Sequence, residues 1–271
     1  MKIIFVYLIF IFFTFPVFAQ LLNIEKDLLE QEQSKKHLFL GNLSVHFSRK
    51  EQRRSLLSFG SYGNLIYTNQ KHLYALILNN NFSQVNGSEI LNDLMLHQRN
   101  TFWKNKKISF ETFAQYQYDY NRGLDDRFQA GLGIKYHWKP NKKSTIAAGS
   151  GFLWETNHWR TEFIDTLMQN QVFALESGNL IRSNSYLSVM FEPSKVLSLN
   201  FVVFYQAPPT QFFFKKARIL FDSSLSLKIH SWLSYNVRYA YTYDDVPENI
   251  RDLTSLPPAI WSLSQGLTVK F

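Results

Sequence analysis

The sequence contains no cysteine. Disulfides, thiolate metal sites and lipid-anchored cysteines are therefore excluded together. It also has no long apolar run beyond residue 19, and its mean hydropathy of −0.20 is too polar for a bundle of membrane helices. The histidines, at 37, 46, 72, 97, 137, 158 and 230, show no ligand spacing, so no metal site is expected. No glycine-rich phosphate loop opens a helix, and nothing else in the chain calls for a cofactor. Charged residues are only 18% of the 271, and the formal charge of +8 is not gathered into one patch. Many of the cations sit in short turns, such as Lys104, Lys106 and Lys107 or Lys139, Lys142 and Lys143, which speaks against a nucleic-acid partner.

What is abundant is aromatic surface. Phe, Trp and Tyr make up 17% of the chain, more than an ordinary soluble core needs. The chain opens as an export signal: Met1-Lys2, an apolar run from Ile3 to Phe13, Pro16, then Val17-Phe18-Ala19 before Gln20. These are the basic, apolar and cleavage regions of a secretory signal peptide, which predicts cleavage after Ala19. An uncleaved anchor would need a longer run without Pro16. Residues 20–36 are then a short N-terminal periplasmic segment, and 37–271 form one domain.

That domain reads with a period of two. Phe128, Ala130, Leu132, Ile134, Tyr136 and Trp138 alternate with Arg127, Gln129, Gly131, Gly133, Lys135 and His137. Successive strand side chains point to opposite faces, so one face is wholly apolar and the other polar or glycine. The same alternation runs from Ala217 to Ile229, from Leu233 to Tyr243, and through Leu43, Val45 and Phe47. Parsing between turn signals predicts about twelve strands of membrane-spanning length. They cover 37–48, 54–68, 71–84, 88–103, 107–121, 125–139, 143–157, 178–192, 195–207, 212–229, 232–244 and 259–271. Strands three and four are the weakest, since 73–78 is continuously apolar and 92–101 alternates poorly.

Every second connection is short, while the others include the long stretches 158–177, 206–211 and 245–258. Outer-membrane barrels sort their loops in this way, with short turns on the periplasmic side. The end of the chain, Trp261, Leu263, Gln265, Leu267, Val269 and Phe271, alternates up to a terminal aromatic residue. This form is similar to the signal read by the outer-membrane barrel assembly machinery. Tyr116, Tyr118, Tyr120, Tyr239, Tyr241 and Tyr243 fall at one predicted boundary and Tyr136 and Trp138 at the other, as interfacial girdles do.

The expectation is an all-β fold: a transmembrane antiparallel up-and-down β-barrel in contact with outer-membrane lipids of a bacterium. In hydrocarbon an unpaired backbone group costs several kcal/mol, so the sheet must close, with its apolar stripes outward. Arg127, Lys135, Arg218, Lys228 and Arg238 then point into the lumen and need Glu111, Asp119, Glu155 and Asp222 as partners. Inward Gly131, Gly133, Gly149 and Gly151 make room for a large neighbour such as Phe113, or bend the wall.

With the strands in place, residues 110–157 resemble the DUF481 family, outer-membrane proteins described in some bacteria as salt- or acid-induced. The likeness lies in Phe110 to Tyr118, in Arg127 with Ala130-Gly131-Leu132-Gly133, and in Ala148-Gly149-Ser150-Gly151-Phe152 leading to Trp154-Glu155. It implies the barrel and its location, but no biochemical activity and no functional residue.

Two functions fit these features. The charged inward stripe suits a small-solute pore or a structural envelope component. The alternative is a membrane-embedded lipid hydrolase using His46 and Ser48, two apart on one strand face where a base can reach a hydroxyl. Against it, Leu43, Val45 and Phe47 take the lipid side, which turns His46 and Ser48 inward, away from an acyl chain. The segment 158–177, with His158, Trp159, Arg160, Glu162, Asp165 and Glu176, is expected to be an external loop.

Overall fold

The computed structural model describes residues 37–51, 54–141, 143–165, 170–209, 217–230, 233–244 and 259–269. The signal peptide, the 20–36 segment and Phe271 lie outside them. The described residues form a 12-stranded sheet whose strands follow one another in chain order. They are β1 (Leu38–Glu51), β2 (Ser55–Thr68), β3 (His72–Val85), β4 (Ser88–Phe102), β5 (Ile108–Asp119), β6 (Leu124–Asn141), β7 (Ser144–Asp165), β8 (Asn170–Phe191), β9 (Leu197–Ala207), β10 (Arg218–His230), β11 (Leu233–Tyr243) and β12 (Ala259–Val269). Every adjacent pair is antiparallel.

The sheet is curled into a barrel. Neighbouring strands are about 4.8 Å apart, so β6 and the end of β11 would be roughly 24 Å apart if the sheet were flat. Arg127 on β6 nevertheless donates to Asp244, just past β11, at 3.0 Å. Arg218 on β10 likewise reaches Glu155 on β7 at 2.8 Å.

Burial is the reverse of that in a soluble protein. On β6, Leu132, Ile134 and Trp138 are exposed at 54%, 60% and 52%, while Arg127 and Lys135 are buried at 2% and 0%. Phe39, Leu43, Val45 and Phe47 on β1, Phe152 and Trp154 on β7, and Trp261 and Leu263 on β12 are also exposed. An apolar outer wall around a charged interior is the membrane-barrel arrangement.

The two weakest expected strands form in full, and the structure gives the reason for their faint signal. On β3 the inward Leu73, Ala75 and Ile77 pack with Ile66 of β2 and Met95 of β4 in a small apolar core, so both faces of that stretch are apolar. On β4 the exposed face carries Gln98 beside Leu96, which blunts the contrast with inward His97 and Arg99. Between β3 and β4, Asn86 (φ 51°) and Gly87 (φ 84°) make a two-residue turn with left-handed backbone, the twist that joins antiparallel strands tightly.

One expected loop is largely strand. Instead of ending near 157, β7 continues to Asp165 and β8 starts at Asn170, in unbroken register from Ser144↔Phe191 to Asp165↔Asn170. The β6 ladder stops at Leu124↔Trp159 and the β9 ladder at Ser183↔Ala207. Beyond those points β7 and β8 pair only with each other, as a hairpin rising past the rim. Sorting of loop lengths is correspondingly weaker at this connection than the sequence suggests, and the stretches 210–216 and 245–258 lie outside the described residues.

Candidate functional site

The interior is built by the alternation itself. Once Phe128 and Leu132 take the outside of β6, Arg127, Gln129 and Lys135 must point inward, and the antiparallel register sets Gln129 opposite Glu155 of β7. Gln129 donates to Glu155 at 2.5 Å, and Asn157, two residues on along β7, donates to it at 2.9 Å. Arg218 arrives from β10, contacting Glu155 through both terminal nitrogens and Asp244 through Nε at 2.7 Å. Arg182 of β8 lies 3.5 Å from Glu155, and Arg127 lies 3.9 Å from it. Arg122, in the short 3-10 turn Tyr120–Arg122, stands 3.5 Å from Asp244. Four guanidinium groups thus surround two carboxylates that water does not reach.

A second cluster lies nearer the end where β6 turns into β7. Lys135 donates to Glu111 at 3.3 Å, Tyr186 of β8 donates its hydroxyl to the other oxygen of Glu111 at 2.5 Å, and Arg99 lies 3.8 Å from that carboxylate. Inward glycines give these groups their space. A side chain at Gly149 would overlap the ring of Tyr186, and one at Gly131 would meet Phe113 at 2.5 Å. Gly133 and Gly151 face each other in the β6–β7 register, where a Cβ on either would strike the neighbouring backbone, so this pair permits a close approach of the strands.

Among the other inward charges inferred from the sequence, Asp222 pairs with Arg238 across β10 and β11 at 2.6 Å. Asp119 closes β5 and lines a cavity of ≈ 200 Å³ together with Asp93, Arg99, Arg127 and Arg218. Lys228 shares the face of Asp222 but is exposed near the end of β10. Sequence reasoning missed Arg99, Arg122, Arg182, Tyr186 and Asp244. Three of these were within its reach. Extending the outward run Tyr239, Tyr241, Tyr243 by one step turns Asp244 inward, and outward Leu187 and Val189 imply inward Arg182 and Tyr186.

His46 and Ser48 lie on the face of β1 that continues into Gly60 and Ser58 of β2, with His46 stacked over Gly60. Both are exposed, and no hydrogen bond joins them. Among the described residues a Ser–His contact is made elsewhere: Ser109 Oγ lies 3.1 Å from His137 Nε2. Ser109 is only 1% exposed, so no substrate reaches its hydroxyl. The residues expected in an external loop are strand residues. Trp159 is buried against Leu124 with the Arg127 guanidinium 5.3 Å from its ring, and His158 contacts Asp126 at 2.8 Å. At the far end of the sheet, Leu267 and Val269 of β12 pair with Tyr235 and Leu233 of β11.

No family model matches the chain, and no curated protein sequence does. Among solved structures, the chain is similar to a NanC porin in a rhombohedral crystal form, with a TM-score of 0.43 and 10% identity over 84% of this chain and 99% of the porin.

Proposed function

We propose that this chain is a bacterial outer-membrane β-barrel whose lumen, narrowed by its own salt bridges, passes only water, ions and small solutes. The observation that carries the reading is the Glu155–Arg218 bridge at 2.8 Å, which crosses the lumen from β7 to β10 inside an apolar outer wall. Such a bridge fills space an open channel would leave to water. The β1 side of the lumen is polar without charge from Ser44 to Ser48. Ser44, His46 and Ser48, on the inward face of β1, are all exposed and offer small solutes a polar track past the network.

In a membrane the free edges of β1 and β12 must pair with each other, because unpaired backbone groups in hydrocarbon cost several kcal/mol each. The export signal, the alternating C-terminal strand suited to the barrel assembly machinery, and the resemblance of residues 110–157 to DUF481 proteins all agree with residence in the outer membrane. The short turns then face the periplasm.

Planar-bilayer recording tests the pore. The wild-type barrel is expected to give a small, steady conductance, and the double variant Glu155→Ala/Arg182→Ala, which removes a buried charge pair, one several-fold larger. Insulating barrels in both cases, or a wild-type conductance that the double variant leaves unchanged, would refute the reading.

A further inference from the structure

The two ends of the barrel differ in charge. At the end with the β2–β3, β4–β5, β6–β7, β8–β9 and β10–β11 turns, the exposed charges are nearly all lysine. Lys71 follows β2, Lys106 and Lys107 precede β5, Lys139 and Lys143 flank the β6–β7 turn, Lys195 precedes β9 and Lys228 lies near the end of β10. Among the described residues, Glu192 is the one exposed acid beside these seven cations. The opposite end is mixed: Arg49, Lys50, Arg54 and Arg160 are matched by Glu51, Glu89, Asp125 and Asp126. Two of those pairings are direct, Arg49 with Glu51 and Arg160 with Asp125.

The lysines sit just beyond a band of outward aromatic residues. Tyr67, Tyr74, Trp103, Tyr136 and Trp138 are exposed at 39%, 37%, 55%, 46% and 52%, and all lie within a few residues of the same turns. Rings of this kind settle at the headgroup level of a bilayer. The ammonium groups are thereby held in the plane of lipid phosphates, on flexible stems that suit a point-charge contact. Tied in solvent-side turns, these lysines have little to gain from the fold. Lys143 donates to Pro193 O, and among the described residues no side-chain ion pair involves any of the seven.

We infer that these lysines, apart from the lumen-facing Lys228, bind anionic phospholipid headgroups of the leaflet at the turn end, and so select the lipid shell around that rim. The inference rests on the membrane reading above, and extends it to lipid preference. Each lysine near a negatively charged surface adds attraction that salt screens, whereas the mixed charges of the opposite end largely cancel.

Electron spin resonance of spin-labelled lipids around the full mature barrel in phosphatidylcholine bilayers provides the test. At low salt, labelled phosphatidylglycerol should associate with the barrel about threefold more strongly than labelled phosphatidylcholine. The variant Lys106→Gln/Lys107→Gln/Lys139→Gln/Lys143→Gln should lose most of that preference, as should the wild type at high salt. Arg49→Gln/Lys50→Gln at the other end should keep it. Equal association of both lipids with an embedded wild-type barrel, or a preference that survives the quadruple variant, overturns the lysine ring and leaves the membrane reading standing. Absence of any motionally restricted lipid would mean that the protein is not embedded, and both inferences would fall together.

Discussion

Replacing Glu155 by alanine is expected to cost about 3–5 kcal/mol of folding stability, because it strips the counter-charge from buried arginines. Glu155 is completely buried and stands within 4 Å of Arg127, Arg182 and Arg218. Without it Arg127 and Arg218 keep only the Asp244 carboxylate of the pair they now share, and Gln129 and Asn157 lose the acceptor they both use. Breaking a buried network from one side is far worse than removing a matched pair. The double variant Glu155→Ala/Arg182→Ala should therefore recover part of the loss, leaving Arg127 and Arg218 on Asp244. Urea titration of the barrel refolded in liposomes, followed by the gel shift between unheated and boiled samples, would measure both. A single variant as stable as wild type would mean that water enters the network freely and that the lumen is not narrowed there.

The second large effect is steric. Gly149→Val is expected to destabilise the barrel by about 1–3 kcal/mol through overpacking, since any side chain there overlaps the Tyr186 ring. Displacing that ring also breaks its hydrogen bond to Glu111 and its contact with Phe204, whose ring centroid lies 5.1 Å away. Tyr186→Ala in the Gly149→Val background should relieve the clash and recover stability lost to it. Gly266→Ala, with nothing within 4 Å of its added Cβ, should change stability by no more than about 0.5 kcal/mol. The same titration compares them. Equal, small effects at Gly149 and Gly266 would show that the inward glycines do not make room for aromatic neighbours.

Strand number, order and facing were legible in the sequence because an apolar outer wall imposes a one-sided demand. Outward positions are mostly apolar and inward ones mostly polar, and β6 and β10 announce themselves through that contrast. The signal fades where one face loses its contrast. On β3 the inward face is also apolar, because Leu73, Ala75 and Ile77 fill the lumen beside Ile66 and Met95. Past Trp159 the β7–β8 hairpin rises beyond its neighbours, where both faces can be polar. The sequence there, His158-Trp159-Arg160-Thr161-Glu162, looks like a loop although the ladder continues.

The site was legible only in part, for a different reason. Alternation says that Arg127, Lys135 and Arg218 point inward, but not which strands meet across the lumen. The pairing of Arg218 with Glu155, three strands away, depends on curvature, which no local pattern encodes, whereas Asp244 stands opposite Arg218 one step along the β10–β11 register. The glycines gave the best local clue. Gly131 does sit beneath Phe113, while Gly149 serves Tyr186, which sequence reasoning did not single out.

Because the chain has no cysteine of its own, single cysteines along β6 can report directly on which stripe meets lipid. After reconstitution, fluorophores attached at 132 and 134 should be strongly quenched by nitroxides carried on lipid acyl chains, and those at 129, 131 and 133 should not. Quenching that alternates in this way confirms that the oily face looks outward into the bilayer. Equal quenching on both faces, or none on either, would contradict the inside-out barrel on which everything else stands.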